Sequence, residues 1–490
     1  MSWTRPGARR RRELAIEVKR TPKVKTAAVT VESDLQQALG KAVAEAAERL
    51  NVPGVAAGVV HGEAEHHAFY GITSIEHPLE VDESTLFQIG STGKTFTATA
   101  IMRLVEAGKV SLDAPVRTYV PELKLKDENV AQSVTVLQLL NHTAGWDGDF
   151  FEDQGDGDDA LKNYVRRMRT LTQVFPLGTG TSYNNAAVAL AGRVIEKVTR
   201  KTYEKAMKEL VFDPMGLENC FFFPNDIMTR RFAVGHRNHE EDGDKKIDVE
   251  RPWRLLRAAN PMGGISANLG DTLKWAKFHM GDGTGKDGQR VLSRESLELM
   301  QTPTAKLPVT LGDSVGISWL ISHVGPLRLV GHGGTTEGQL SAFQMVPDRH
   351  FAVVINTNST NGAQVHRELQ RWVLKEYLGV DEPEDQPLEL SGDELQDYAG
   401  VFDTDSAILT ITVVDDRLEI DAEPTPLTLR LLKKMGRERP PKEPPIKAKI
   451  LTDDQCIVID GPAKGIKGQY ERVSGVITGL NLSRLAVKRR

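Results

Sequence analysis

The chain has 490 residues, 40% of them hydrophobic and 26% charged, an ordinary globular composition with room for two or three domains. A formal net charge of -5 gives no global pull toward nucleic acid or anionic membrane, so small-molecule or peptide substrates are the expected partners. No stretch approaches the roughly 18 consecutive apolar residues of a membrane span. The two cysteines, Cys220 and Cys456, support neither a disulfide framework nor a cysteine zinc site, and read as buried small apolar residues.

Residues 1–33 are basic at their start (Arg5, Arg9, Arg10, Arg11, Arg12, Lys19, Arg20), but no apolar core follows and Glu13 and Glu17 interrupt the run. A solvated, disordered extension is expected there rather than a targeting segment, and with it a cytoplasmic location. Leu35, Leu39, Val43 and Ala47 then mark one face of a helix over 35–50. Residues 55–60 and 68–72 predict a hairpin turning at His61, Gly62 and Glu63. A mostly apolar helix over 91–107, closed by Gly108, is predicted to be buried on most sides.

Helices alternate with loops from Val136 to about Leu210, and the charged stretch 239–250 reads as a solvated insertion. Strands follow over 314–323, 327–330, 340–346 and 351–356, then a helix over 362–377. Strands at both ends of this region with helices between them predict an α+β fold, one antiparallel sheet faced by helices. Residues 380–387 have linker composition. Beyond them, short strands at 408–412, 427–432, 446–451 and 456–459 predict a separate all-β module over 388–490, a small barrel carrying a basic, proline-rich loop at 433–449.

Ser91 and Lys94 form the one Ser-x-x-Lys of the chain, entered through a tight turn at Gly90. On a helix, positions three apart share a face, so the lysine nitrogen reaches the hydroxyl. The helix N-terminus adds partial positive charge and backbone N–H groups where an oxyanion would form. Tyr183, Asn184 and Asn185 supply the one Tyr-x-Asn, and acyl transfer needs both a base for the serine and an acid for the leaving group. His332, Gly333 and Gly334 lie between strand-like runs, where glycines let a substrate approach the backbone. The chain has no Gly-x-Ser-x-Gly elbow. His66 and His67 should face opposite sides of a strand, unsuited to a metal, and His142 reads as a turn residue. No metal or cofactor is called for, and the oligomeric state is not set by the sequence.

Over most of residues 35–378 the chain resembles the class C serine β-lactamases, penicillin-binding DD-peptidases and related esterases. The likeness is carried by Phe87-Gln88-Ile89-Gly90-Ser91-Thr92-Gly93-Lys94, Leu112-Asp113-Ala114-Pro115-Val116, the segment 139–145, Ser182-Tyr183-Asn184-Asn185, Pro261-Met262-Gly263-Gly264-Ile265 and His332-Gly333-Gly334. The C-terminal module, with Leu395, Tyr398, Gly400 and Phe402, resembles the lipocalin-like domain often fused to such hydrolases. The resemblance implies a β-lactamase/DD-peptidase-like fold with a helical subdomain, and a serine hydrolase that passes through an acyl-enzyme on ester or amide bonds. It implies Ser91 as nucleophile, Lys94 as its activator, Tyr183 as acid/base and Asn185 as ligand for a substrate amide. His332, Gly333, Gly334 and Thr335 would contact the substrate, with the N–H groups of Ser91 and Thr335 as oxyanion hole.

An unperturbed tyrosine or lysine is about one-thousandth in its basic form at pH 7, a penalty of roughly 4 kcal/mol. The two must titrate as a coupled pair, and which is the base stays open. Two positions depart from the family pattern: His332 stands where many members have lysine, and Leu177 where a proline-glycine turn commonly precedes the tyrosine. A histidine with its ordinary titration would gain charge toward pH 6 and so tune selectivity for anionic substrates. The alternative reading is a non-catalytic binding or scaffold protein on the same fold.

Overall fold

The computed structural model describes residues 31–489 except 242, 243, 405, 435–438, 440, 441, 443 and 462, so the basic stretch 1–30 lies outside it. The first helix, Val31–Arg49, includes the last residues of the expected extension. Eight antiparallel strands form the main sheet in the order Ala64–Gly71, Gly54–His61, Phe351–Thr357, Leu340–Val346, Leu327–Thr335, Leu320–Val324, Ser314–Val315 and Ala305–Lys306. An early strand and the last strand of this region thus lie side by side, second and third in the sheet, where Val55 pairs with Thr357 and Val59 with Val353.

Both faces of the central strands are covered, and strand alternation divides their side chains between two cores. Val55, Ala57, Val59, Val353 and Ile355 pack against Leu39, Val43 and Ala47 of the first helix and Val365, Leu369 and Val373 of the helix Gly362–Leu378. Ala56, Val60, Ala352 and Val354 face the larger core with Phe96, Ile101, Leu269, Leu273 and Trp275. At the heart of that core lies the helix Gly93–Glu106, buried on nearly every side and preceded by a 3₁₀ turn at Gly90–Thr92. It separates the sheet from the helical subdomain, whose central member is Asn185–Thr199.

The C-terminal region closes into an eight-stranded barrel in which each strand pairs with its sequence neighbours. Phe402 of its first strand pairs with Lys488 of its last. Phe402, Ile411, Leu418, Ile420, Ala448, Ile450, Tyr470 and Leu480 fill it, and Leu395 and Tyr398 plug one end. This is the up-and-down arrangement that removes sheet edges.

Two segments differ from expectation. Residues 427–432 are helical within Pro426–Lys434: Pro426 is preset for a first helical turn, and Thr425 Oγ1 accepts the Thr428 N–H at 3.2 Å. The local cap overrides the β-branched, apolar look of that run. The charged stretch 239–250 is a hairpin, His236–Glu241 with Asp244–Val249, in which Glu240 lies opposite Lys245 and His239 opposite Lys246. Cross-strand pairing gives the charges a regular partner.

The hydrophobic clusters of the barrel and of the sheet share no residue. A chain ended after Asp385 is therefore expected to remain soluble and to unfold in one cooperative transition by circular dichroism. Aggregation of that shortened chain would show instead that the barrel completes the hydrolase core.

Candidate active site

Ser91 sits in the 3₁₀ turn ahead of the buried helix, and two glycines let that turn touch the sheet. Gly90 has φ +52°, and a Cβ there would lie 2.6 Å from the Thr335 nitrogen. A Cβ on Gly334 would lie 1.9 Å from the Ile89 oxygen. Only glycine permits so close a backbone contact. Thr92 Oγ1 then donates to the His332 carbonyl at 3.0 Å, tying the helix start to the strand Leu327–Thr335.

Lys94 is fully buried, with Nζ donating to Ser91 Oγ at 2.8 Å and to the Met262 carbonyl at 2.6 Å. Ser91 acts on the Tyr183 phenol against the upward pull of burial, and Lys94 Nζ lies 4.9 Å from the centre of the Tyr183 ring. Burial, with the Arg484 cation adding to it, holds the lysine well below its ordinary range, and burial pushes the phenol upward. Both causes favour a neutral amine beside a neutral phenol.

His332 is 4% exposed, and its Nδ1 lies 2.6 Å from the Gly333 carbonyl. A carbonyl only accepts, so Nδ1 carries the proton and Nε2 presents a lone pair, 3.5 Å from the Tyr183 oxygen. Burial and the neighbouring Lys94 hold this imidazole down to about 3. The expectation that His332 gains charge toward pH 6 is therefore corrected: desolvation keeps it neutral across that range.

His142, expected to be a turn residue, has a second role. It does turn the chain, at φ +63°, but its ring packs 4.5 Å from that of Tyr183 and its Nδ1 accepts the Asn184 N–H at 3.2 Å. Asn184 caps the helix Asn185–Thr199 by accepting from the Ala187 N–H at 2.8 Å, which fixes Tyr183 just before the first turn. Asn185 Nδ2 donates to Asp149 Oδ1 at 2.9 Å. Asp149 in turn meets Arg484, which comes from the barrel. Neither Asp149 nor Arg484 stands out in the sequence, for both lie in unpatterned loops. His66 and His67 do not form a site: His66 hydrogen-bonds to Tyr377 at 2.7 Å and His67 to Glu65 at 3.0 Å.

Ser91, Tyr183, Asn185, His332, Gly333, Gly334 and Thr335 all line one cavity of about 2670 Å³ that extends to the barrel. Residues 39–377 match the family model for beta-lactamase. The chain belongs to the beta-lactamase family. It is 32% identical over 338 residues to penicillin-binding protein 4 of Amycolatopsis lactamdurans, covering 68% of this chain and 88% of that one. Among solved structures, SurE superposes with a TM-score of 0.71 at 22% identity, over 94% of this chain and 100% of that one, barrel included. The D-amino acid amidase of Ochrobactrum anthropi superposes with a TM-score of 0.56 at 25% identity, over 67% of this chain and 92% of that one.

This family member is thus a serine hydrolase, of a family that acts on amide and ester bonds. Among the described residues no group of three or more histidine, cysteine or acidic side chains is placed to hold a metal ion, and no helix is long and apolar enough to cross a membrane. A base whose pKa is lowered is active above that lowered value and lost as the pH falls through it. The kcat/KM profile should therefore show an acid limb well below pH 10, set by Lys94. Lys94→Met should cut turnover by ~10³-fold and leave a residual rate without that limb, as read from steady-state kinetics between pH 5 and 10.

Proposed function

We propose that Ser91 is the nucleophile of an acyl-enzyme hydrolase acting on neutral esters and amides, with Lys94 as its base and Tyr183 as the proton carrier to the leaving group. The observation that carries this reading is the 2.8 Å contact between a fully buried Lys94 and Ser91 Oγ at the wall of an open cavity. A lysine in its ordinary state would cost about 4 kcal/mol to deprotonate at pH 7, and burial removes much of that penalty. The Ser91 proton passes to Lys94 Nζ as Oγ attacks the carbonyl. Negative charge develops on the carbonyl oxygen against the N–H groups of Ser91 and Thr335, which Gly90 holds together. Tyr183, within hydrogen-bond reach of Ser91, gives its proton to the departing oxygen or nitrogen and is restored from Lys94. Water then repeats the sequence on the acyl-enzyme.

Charge around the nucleophile supports neutral substrates. Burial disfavours the charged forms of Lys94 and His332, and Arg484 is already paired with Asp149. The cavity supports an extended acyl or peptidyl group, since its volume of about 2670 Å³ exceeds the ~300–1,000 Å³ typical of small-molecule pockets. Phe151, Trp253, Leu255, Leu256 and Met262 give the wall near Ser91 an apolar character. Asn185 and the strand edge at Gly333–Thr335 would hold the substrate amide. Similarity to a penicillin-binding protein and to a D-amino acid amidase lends support to amide substrates. The two buried thiols, Cys220 and Cys456, suit the proposed cytoplasmic location.

An aryl ester or penicillin probe should add a single mass to Ser91 in intact-protein analysis, absent in a folded Ser91→Ala. Tyr183→Phe keeps the ring and should lower turnover by ~10²-fold; turnover near wild type would leave Lys94 alone to move the proton.

Neutral short-chain esters should be turned over better than carboxylate-bearing β-lactams at pH 8. That ratio should hold to pH 6, because His332 stays neutral, and should fall in His332→Lys. A ratio that narrows toward pH 6 in the wild type would show that His332 titrates as a solvent-exposed histidine does.

A further inference from the structure

We propose that the C-terminal barrel is part of the catalytic apparatus, with Arg484 as a positioning residue that sets Tyr183 directly and Asn185 through Asp149. The inference rests on the functional reading above and adds to it a group that lies 301 residues beyond Tyr183 in the sequence.

Arg484 occupies the connection between the last two barrel strands, Val476–Asn481 and Leu485–Lys488. This connection reaches out of the barrel to the segment just before the helix Asn185–Thr199. The Tyr183 N–H donates to the Ser483 carbonyl at 2.9 Å, Asn481 Nδ2 donates to the Thr181 carbonyl at 3.2 Å, and the Leu485 N–H donates to Ser182 Oγ at 3.3 Å. The backbone N–H of the proposed acid/base is therefore satisfied by the barrel and not by its own domain. Ser483 adopts φ +77°, a left-handed conformation that is costly for a non-glycine residue and that the surrounding contacts must hold.

The side chain continues the same linkage. Arg484 Nη2 donates to Asp149 Oδ1 at 2.7 Å, and Nε lies 2.6 Å from Asp149 Oδ2 as an ion-pair contact outside hydrogen-bond geometry, so both carboxylate oxygens lie against the guanidinium. The same Asp149 Oδ1 accepts from Asn185 Nδ2, so the Asn185 amide is turned by an acid that the barrel arginine fixes. The guanidinium carbon also lies 4.8 Å from the Tyr183 ring centre, a second cation against a ring already faced by Lys94. Ser91, Asp149, Tyr183, Asn185 and Arg484 all border the same cavity.

Opposite charges beside one proton-transfer pair give a test that a merely structural contact would not meet. Lys94 and Tyr183 are faced by His142 from the loop after the helix Val136–Leu140, by His332 from the strand Leu327–Thr335, by Asp149 and by Arg484; Asp147 and Tyr164 border the Arg484–Asp149 pair. Removing the Arg484 cation should make Lys94 easier to protonate and move the acid limb of kcat/KM to higher pH. Removing the Asp149 charge should move it to lower pH.

The experiment uses the full chain with an aryl ester as probe. Arg484→Gln is expected to lower kcat by ~10-fold or more with a smaller change in KM, and to shift the limb upward. Asp149→Asn should shift it downward, and the double variant should return it toward the wild-type position. Arg484→Lys, which keeps the charge but not the guanidinium, should hold the limb near its wild-type place while recovering only part of kcat. Melting curves identify a variant that fails to fold; Asp149→Asn and Arg484→Lys, being conservative, then carry the comparison. Limbs that stay put in both charge-removing variants, or kcat within 2-fold of wild type in folded Arg484→Gln, overturn the proposal while leaving Ser91 labelling intact. Absence of labelling in the wild type would overturn this proposal together with the functional reading beneath it.

Discussion

Lys94 is a lysine with no access to water, and the rest of the site is arranged around that fact. An ammonium buried without a carboxylate partner is expensive, and the cheaper state is the free amine. Its nitrogen lies 2.8 Å from Ser91 Oγ and 2.6 Å from the Met262 carbonyl; a free amine donates to the carbonyl and accepts from the serine hydroxyl, and an ammonium donates to both. The geometry therefore does not need to change when the proton arrives. Holding a lysine this way requires a helix start pressed against a sheet, and the bare backbones of Gly90 and Gly334 allow it.

Much of this was legible in the sequence because it is local. The Ser91–Lys94 spacing is a statement about one helical turn. The hairpin at the first strands follows from a continuous apolar run at 55–60 ended by turn residues, and the structure divides the two faces of that strand between two cores. The run at 427–432 misled because apolar periodicity in a short segment does not distinguish strand from helix, and the Thr425–Pro426 cap settles it.

What the sequence did not carry is whatever depends on distance along the chain. The charge of His332 is set by desolvation, a property of what surrounds the ring, and the residue type alone suggests the opposite behaviour. His142 reads as a turn because it is one; that its ring lies against Tyr183 follows from how the loop packs. Arg484 had no signal at all. Its neighbours Ser483 and Leu485 belong to a barrel hairpin, and only the docking of that hairpin brings a guanidinium to Asp149.

The charges at rest have a consequence for the reaction. Burial disfavours the charged forms of Lys94, His332 and His142, and Arg484 is paired with Asp149. In the proposed mechanism, attack by Ser91 places a cation on Lys94 and an anion on the substrate. The Asp149 carboxylate and the face of the Tyr183 ring favour that cation, and the N–H groups beside Gly90 favour the anion. Arg484 opposes the ammonium, so it also keeps the resting lysine unprotonated. A fixed ion pair of this kind does not reorganise during the step, so its dipole is already in place as the charges develop. The barrel thus reaches the chemistry through electrostatics as well as through contact.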